Sequence, residues 1–145
     1  MLLTFAVILI GAMFLIRPLQ KNVFFMIYFA LMMGTAYFLE MKGYHFRAFS
    51  KESFLMFLPC HFLLINLMTM IAYGVDKNAA RNGAWRVPEM QLHLLELLGG
   101  SPGAFVAQKL FHHKTKKKSF QLSFLFVLAL QAVIVYYILK VLRII

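Results

Sequence analysis

Residues 73–120 read YGVDKNAARNGAWRVPEMQLHLLELLGGSPGAFVAQKLFHHKTKKKSF, and they decide the fold. The middle of this stretch, Pro88 to Phe111, is apolar enough to enter a bilayer, but Gly99-Gly100-Ser101-Pro102-Gly103 cuts it in two. Each half offers about ten or eleven helical residues, which reach roughly 15–17 Å against a hydrocarbon core of about 30 Å. Neither half spans. Gly99 and Gly100 suit the end of one helix, Ser101 suits the N-cap of the next, and Pro102 suits its first turn. The pattern predicts a re-entrant hairpin over residues 88–111, with Gly99, Gly100, Pro102 and Gly103 as its structural turn. Irregular backbone at membrane depth is tolerated only where protein or a wet cavity covers it. The remaining segments are therefore expected to wall the hairpin, which makes it the expected site of function.

Composition supports a membrane setting. Of 145 residues 62% are hydrophobic, and the mean hydropathy is +0.77. The expectation is an all-α integral membrane protein forming a single membrane domain over residues 1–145, with four transmembrane helices plus the hairpin. The net charge of +10 points first to orientation in the bilayer and to anionic phospholipid as a partner. Nucleic acid is disfavoured, because the basic residues are divided among short loops. Association into a homo-oligomer stays open. The single cysteine, Cys60, excludes an internal disulfide, no Cys/His spacing suggests zinc, and no cofactor is indicated.

Working outward from the hairpin, two N-terminal spans occupy residues 1–52. Met1 to Ile16 is an apolar run stopped by Arg17-Pro18, and it lacks the basic start and cleavage site of a signal peptide. Val23 to Leu39 is the second span. Residues 40–52 alternate charge with Tyr44, Phe46 and Phe49, the composition of an interfacial segment. Ser53 to Tyr73 is the third span, with Pro59 as an expected kink and His61, Asn66 and Thr69 as its polar residues. Residues 74–87 read as a polar connection in which Asp76 starts a short helix carrying Lys77 and Arg81. The last span is Ser119 to Leu139. If residues 88–111 re-enter, both highly basic connections lie on one face, and the positive-inside rule makes that face cytoplasmic.

The spacing Tyr73-x2-Asp76-Lys77-x-Ala79-Ala80-Arg81, then Trp85-Arg86-x-Pro88-Glu89, then Leu98-Gly99-Gly100-x-Pro102-Gly103-Ala104 is specific and ordered. It continues with Phe111-x-His113-Lys114-Thr115-x-Lys117-x-Ser119-Phe120. The chain resembles, over roughly residues 66–131, an uncharacterised bacterial inner-membrane family, some members of which carry a cold-shock domain ahead of the membrane part. The resemblance implies a multi-pass protein of the bacterial inner (plasma) membrane with no assigned activity, and a cytoplasmic Asp76-Lys77. Residues 53–145 are then the family core, and residues 1–52 hold variable spans. Ser101, His112 and Glu96 stand where the family usually has Trp, Arg and a small apolar residue.

Glu89, His93 and Glu96 fall at i, i+4 and i+7, on one face of the first half-helix. Together with Asp76 and the rim histidines they suggest a cation site or an acid/base pair, and Glu89 and His93 are the catalytic candidates. The blander alternative is an internal polar network, with Glu89 at the helix start paired to Arg81 or Arg86. The cationic rim of Lys77, Arg81, Arg86, His113, Lys114 and Lys117 is the candidate ligand-binding set. Arg81, Arg86 and Lys114 are the proposed phosphate cradle, since arginine offers a bidentate fork. Three function classes remain: a binder of phosphate-bearing lipid head groups, a transporter or channel lined by the hairpin, and an enzyme acting on lipid phosphates.

Overall fold

A computed structural model describes residues 1–112 and 115–141 of the chain. The described residues form helices and connecting turns, with no strand among them. The order is α1 (Leu2–Leu15), a 3-10 turn (Arg17–Lys21), α2 (Val23–Met41), α3 (Lys51–Asn82), α4 (Glu89–Leu95), α5 (Ser101–Phe111) and α6 (Lys118–Val141). Among the described residues, three segments are long and apolar enough to cross a membrane: Val23–Met41, Lys51–Asn82 and Lys118–Tyr137. The chain resolves into two compact units, Met1–Met68 and Thr69–Ile145, and α3 contributes to both.

In the first unit, Pro18 opens the 3-10 turn after α1, and the Asn22 side chain caps α2 by accepting the Phe25 N–H at 3.2 Å. The α1 backbone is bonded to the far end of α2, where Glu40 Oε1 accepts the Leu2 N–H at 2.8 Å. The two helices are therefore antiparallel. The expected first span is short: 14 residues rise about 21 Å, less than the hydrocarbon core. Phe5 meets Phe57 edge to face at 5.0 Å, Phe57 stacks on His61, and His61 Nδ1 lies 2.6 Å from the Tyr28 hydroxyl. His61 is thus one of the polar residues in the apolar third helix that does meet a neighbour. Asn66 donates to the Phe62 carbonyl of its own helix at 2.8 Å. Tyr44 and Phe49 of the interfacial segment are half exposed.

In the second unit the third helix does not stop at Tyr73. It runs on through Gly74 to Asn82, so Asp76, Lys77 and Arg81 lie on the end of α3 and not on a separate short helix. Ala79 and Ala80 are strong helix formers and carry the helix forward. The stop comes at Gly83, whose φ of +65° is the left-handed conformation of a helix C-terminus. Ala84 N–H then donates to Ala79 O at 3.0 Å, closing a Schellman motif. Gly74 faces the Phe111 ring, where an added Cβ would stand 3.5 Å away, an ordinary contact.

After Pro88, α4 continues into a wider turn over Glu96–Gly100, broken by Gly99 at φ 113° and ψ 3°. Ser101 begins α5 with Pro102 in its first turn. The break is thus where the glycines and the proline place it. Ser101 does not act as an N-cap. Its hydroxyl donates to Gln131 Oε1 at 2.7 Å and approaches the Glu96 carbonyl at 3.2 Å, so it is held by a neighbouring helix and by the preceding turn.

Candidate functional site

Glu96 is the centre around which the second unit's polar side chains gather. It is 0% exposed. The Tyr73 hydroxyl of α3 donates to its Oε1, and His93 Nδ1, one turn back, lies 2.6 Å from its Oε2. Gln108 of α5 donates to the Tyr73 oxygen at 3.3 Å, and Gln121 of α6 donates to Gln108 Oε1 at 2.7 Å. The donors therefore run in one direction, Gln121 to Gln108 to Tyr73 to Glu96, and the chain ends on a carboxyl oxygen as acceptor. Gln131, two turns and more along α6, donates to the carbonyls of Glu96 at 2.5 Å and Leu97 at 3.1 Å. Four helices are tied to one carboxylate and to the turn that carries it.

The expected trio Glu89, His93 and Glu96 is therefore split. His93 and Glu96 meet, whereas Glu89 pairs with Lys117 Nζ at 2.6 Å at the exposed end of the hairpin. Neither Arg81 nor Arg86 takes that position. Arg86 instead points Nε and Nη2 at the buried Asp76 carboxylate, each at 3.3 Å. Its fork is already engaged, so the expected cradle of Arg81, Arg86 and Lys114 loses one arm. His113 and Lys114 lie outside the described residues. Lys77, Arg81, Lys116 and Lys118 make no ion pair among the described residues. No group of three or more His, Cys, Asp or Glu suited to a metal ion is present among the described residues.

These pairs fix the layout. Glu89 with Lys117, Asp76 with Arg86, and Gly74 beside Phe111 bring the end of α3, both ends of the hairpin and the start of α6 to one polar end. Trp85 stands there, 71% exposed. The hairpin's tip lies at the other extreme, where Gly100 is buried against Thr69 and Ser101 against Gln131. Two of the grooves formed by the described residues flank the hairpin. One, about 370 Å³, is lined by His93, Leu122, Ser123, Phe126 and Val127. The other, about 160 Å³, lies between α5 and α6 and is lined by Phe105, Gln108, Lys109, Thr115, Gln121 and Phe124. Sequence reasoning missed Gln108, Gln121, Gln131 and Lys109. The signal was available for the glutamines, since isolated amides in apolar helices seek partners inside the bundle.

Fold and site together define a small all-helical protein with membrane-length helices, built round a polar-knit helical hairpin. Residues 66–120 match the sequence model of a family described as a protein of unknown function (DUF1294). A relative in Bacillus subtilis (strain 168), the uncharacterized protein YsdA, is 32% identical over 80 residues, covering 55% of this chain and 90% of its own length. The chain belongs to this uncharacterised family. No solved structure matches it.

Proposed function

We propose that this chain is a multi-pass protein of the bacterial plasma membrane whose basic cytoplasmic rim holds anionic phospholipid. The carrying observation is the polar end of the second unit, where Lys77, Arg81, Lys116 and Lys118 stand without carboxylate partners among the described residues. Each lysine or arginine near an anionic surface contributes about 1 kcal/mol. Trp85 beside them is the aromatic anchor expected at head-group level. In this arrangement residues 53–75, which carry no Asp, Glu, Lys or Arg, form the third of four spans and reach about 35 Å. The hairpin enters from the rim and returns to it, with Gly100 about 10 Å below Asp76 along α3, level with Thr69.

A closely packed tip supports this reading over a pore, because Gly100 and Ser101 are covered by Thr69 and Gln131. An enzyme acting on lipid phosphates would rest on His93 alone. Its Nδ1 is held by Glu96 and its ring lines the larger groove, the orientation a general base needs.

The single tryptophan makes the test direct. In vesicles, Trp85 fluorescence should be quenched more by brominated phosphatidylglycerol than by brominated phosphatidylcholine at equal mole fraction. Arg81→Gln and Lys116→Gln should reduce that difference. Equal quenching by the two lipids in the parent protein would remove the lipid-binding reading. Topology is checked separately, with Cys60→Ala as background. Lys77→Cys and Lys116→Cys should both resist an impermeant thiol reagent in intact cells, and Lys42→Cys should react. Labelling of only one of the two rim positions would show that residues 88–111 cross the membrane.

A further inference from the structure

The groove between α5 and α6 grades from polar to apolar along the direction of the helices. Thr115 precedes α6 at the polar end, and Lys109, Gln108 and Gln121 come next. Phe105, one turn before Lys109 on α5, and Phe124, one turn beyond Gln121 on α6, lie furthest from the rim. That is the profile of an amphiphile standing upright in a leaflet. Gln121 donates to Gln108 and Gln108 donates to Tyr73, so the two amides form a fixed wall. Lys109 and Thr115 are different. The Lys109 ammonium lies 4.9 Å from the Phe105 ring centroid and makes no ion pair among the described residues, and the Thr115 hydroxyl has no hydrogen-bond partner among them. No Asp or Glu lines the groove. A cation with no ion-pair partner and a hydroxyl with no hydrogen-bond partner among the described residues, beside two phenyl rings, match an anionic phosphodiester with the first part of an acyl chain.

We infer that the α5–α6 groove is a discrete site for one anionic glycerophospholipid, its phosphate on Lys109 and Thr115 and its chain against Phe105 and Phe124. This rests on the reading that the rim holds anionic lipid, and it locates a particular lipid between α5 and α6. The volume of about 160 Å³ is too small for a whole lipid, so most of the chain lies outside the groove.

A reporter is placed in the groove by Phe105→Trp in a Trp85→Phe background. Brominated phosphatidylglycerol should quench it more strongly than brominated phosphatidylcholine. Lys109→Gln should reduce that preference about fivefold, and Lys109→Arg should retain it. Thr115→Val should reduce it by a smaller factor, and it gives the same information should Lys109→Gln fail to fold. The parent reporter Trp85, with Phe105 intact, should keep its own preference in the Lys109→Gln protein. A groove preference that survives both Lys109→Gln and Thr115→Val overturns the discrete site and leaves the rim reading standing. Absence of any preference at Trp85 as well as at position 105 overturns both.

Discussion

Gly100→Ala should destabilise the protein by about 2–3 kcal/mol in detergent, the upper range for overpacking a close contact. A Cβ at Gly100 would stand 2.7 Å from the Leu95 carbonyl oxygen and closer still to Thr69 Oγ1. Backbone cannot yield as a flexible side chain can, so the turn or α3 must shift. The φ of −80° at Gly100 is ordinary, and the cost is therefore one of space and not of conformation. Gly34 is the control: a methyl group added there would find nothing within 4 Å, and Gly34→Ala should be neutral or stabilise α2 by up to about 1 kcal/mol. Adding Thr69→Ala to Gly100→Ala should recover part of the loss. The midpoint of unfolding, compared across these variants and the parent protein, is the measurement. Equal tolerance at positions 34 and 100 would mean that the turn is not packed on α3.

Tyr73→Phe should be the second costly change, by about 2 kcal/mol, because it removes one hydroxyl from two buried partners. Glu96 loses a donor, and Gln108 loses the oxygen it donates to. Glu96→Leu removes the acceptor and leaves the buried Tyr73 hydroxyl unsatisfied, so it should cost a comparable amount. The informative quantity is the coupling between them. The double variant should be more stable than the sum of the single losses predicts, by about 1 kcal/mol, measured by reversible unfolding in mixed micelles. Strict additivity would mean that the Tyr73–Glu96 bond contributes nothing to stability.

The turn is legible in the sequence because its chemistry is local. Gly99 takes the left-handed conformation that a glycine permits, and Pro102 sits where its missing N–H does no harm. Ser101 looks equally local but is not, since Gln131, thirty residues away, offers its hydroxyl a better partner. The end of α3 is hard to place from sequence for a related reason. Gly74 and the charges after it resemble a helix end, but packing against Phe111 and the alanines beyond carry the helix to Gly83. The pairing of Glu96 with His93 follows from a separation of one helical turn, whereas Tyr73 reaches Glu96 only through the tertiary fold. Periodicity shows which residues share a face of one helix. It does not show which helix that face meets.

The bonds from Gln131 to the Glu96 and Leu97 carbonyls bear on how the protein is made. Those oxygens sit at the break between α4 and α5, where the regular ladder is interrupted. In hydrocarbon an under-satisfied carbonyl is costly, and the Gln131 amide that donates to both lies deep in α6, which leaves the ribosome after the hairpin. On the proposed reading that the hairpin re-enters the membrane, it gains these two bonds only once α6 has entered the bilayer. Insertion of that helix and completion of the hairpin's bonding would then coincide during biogenesis.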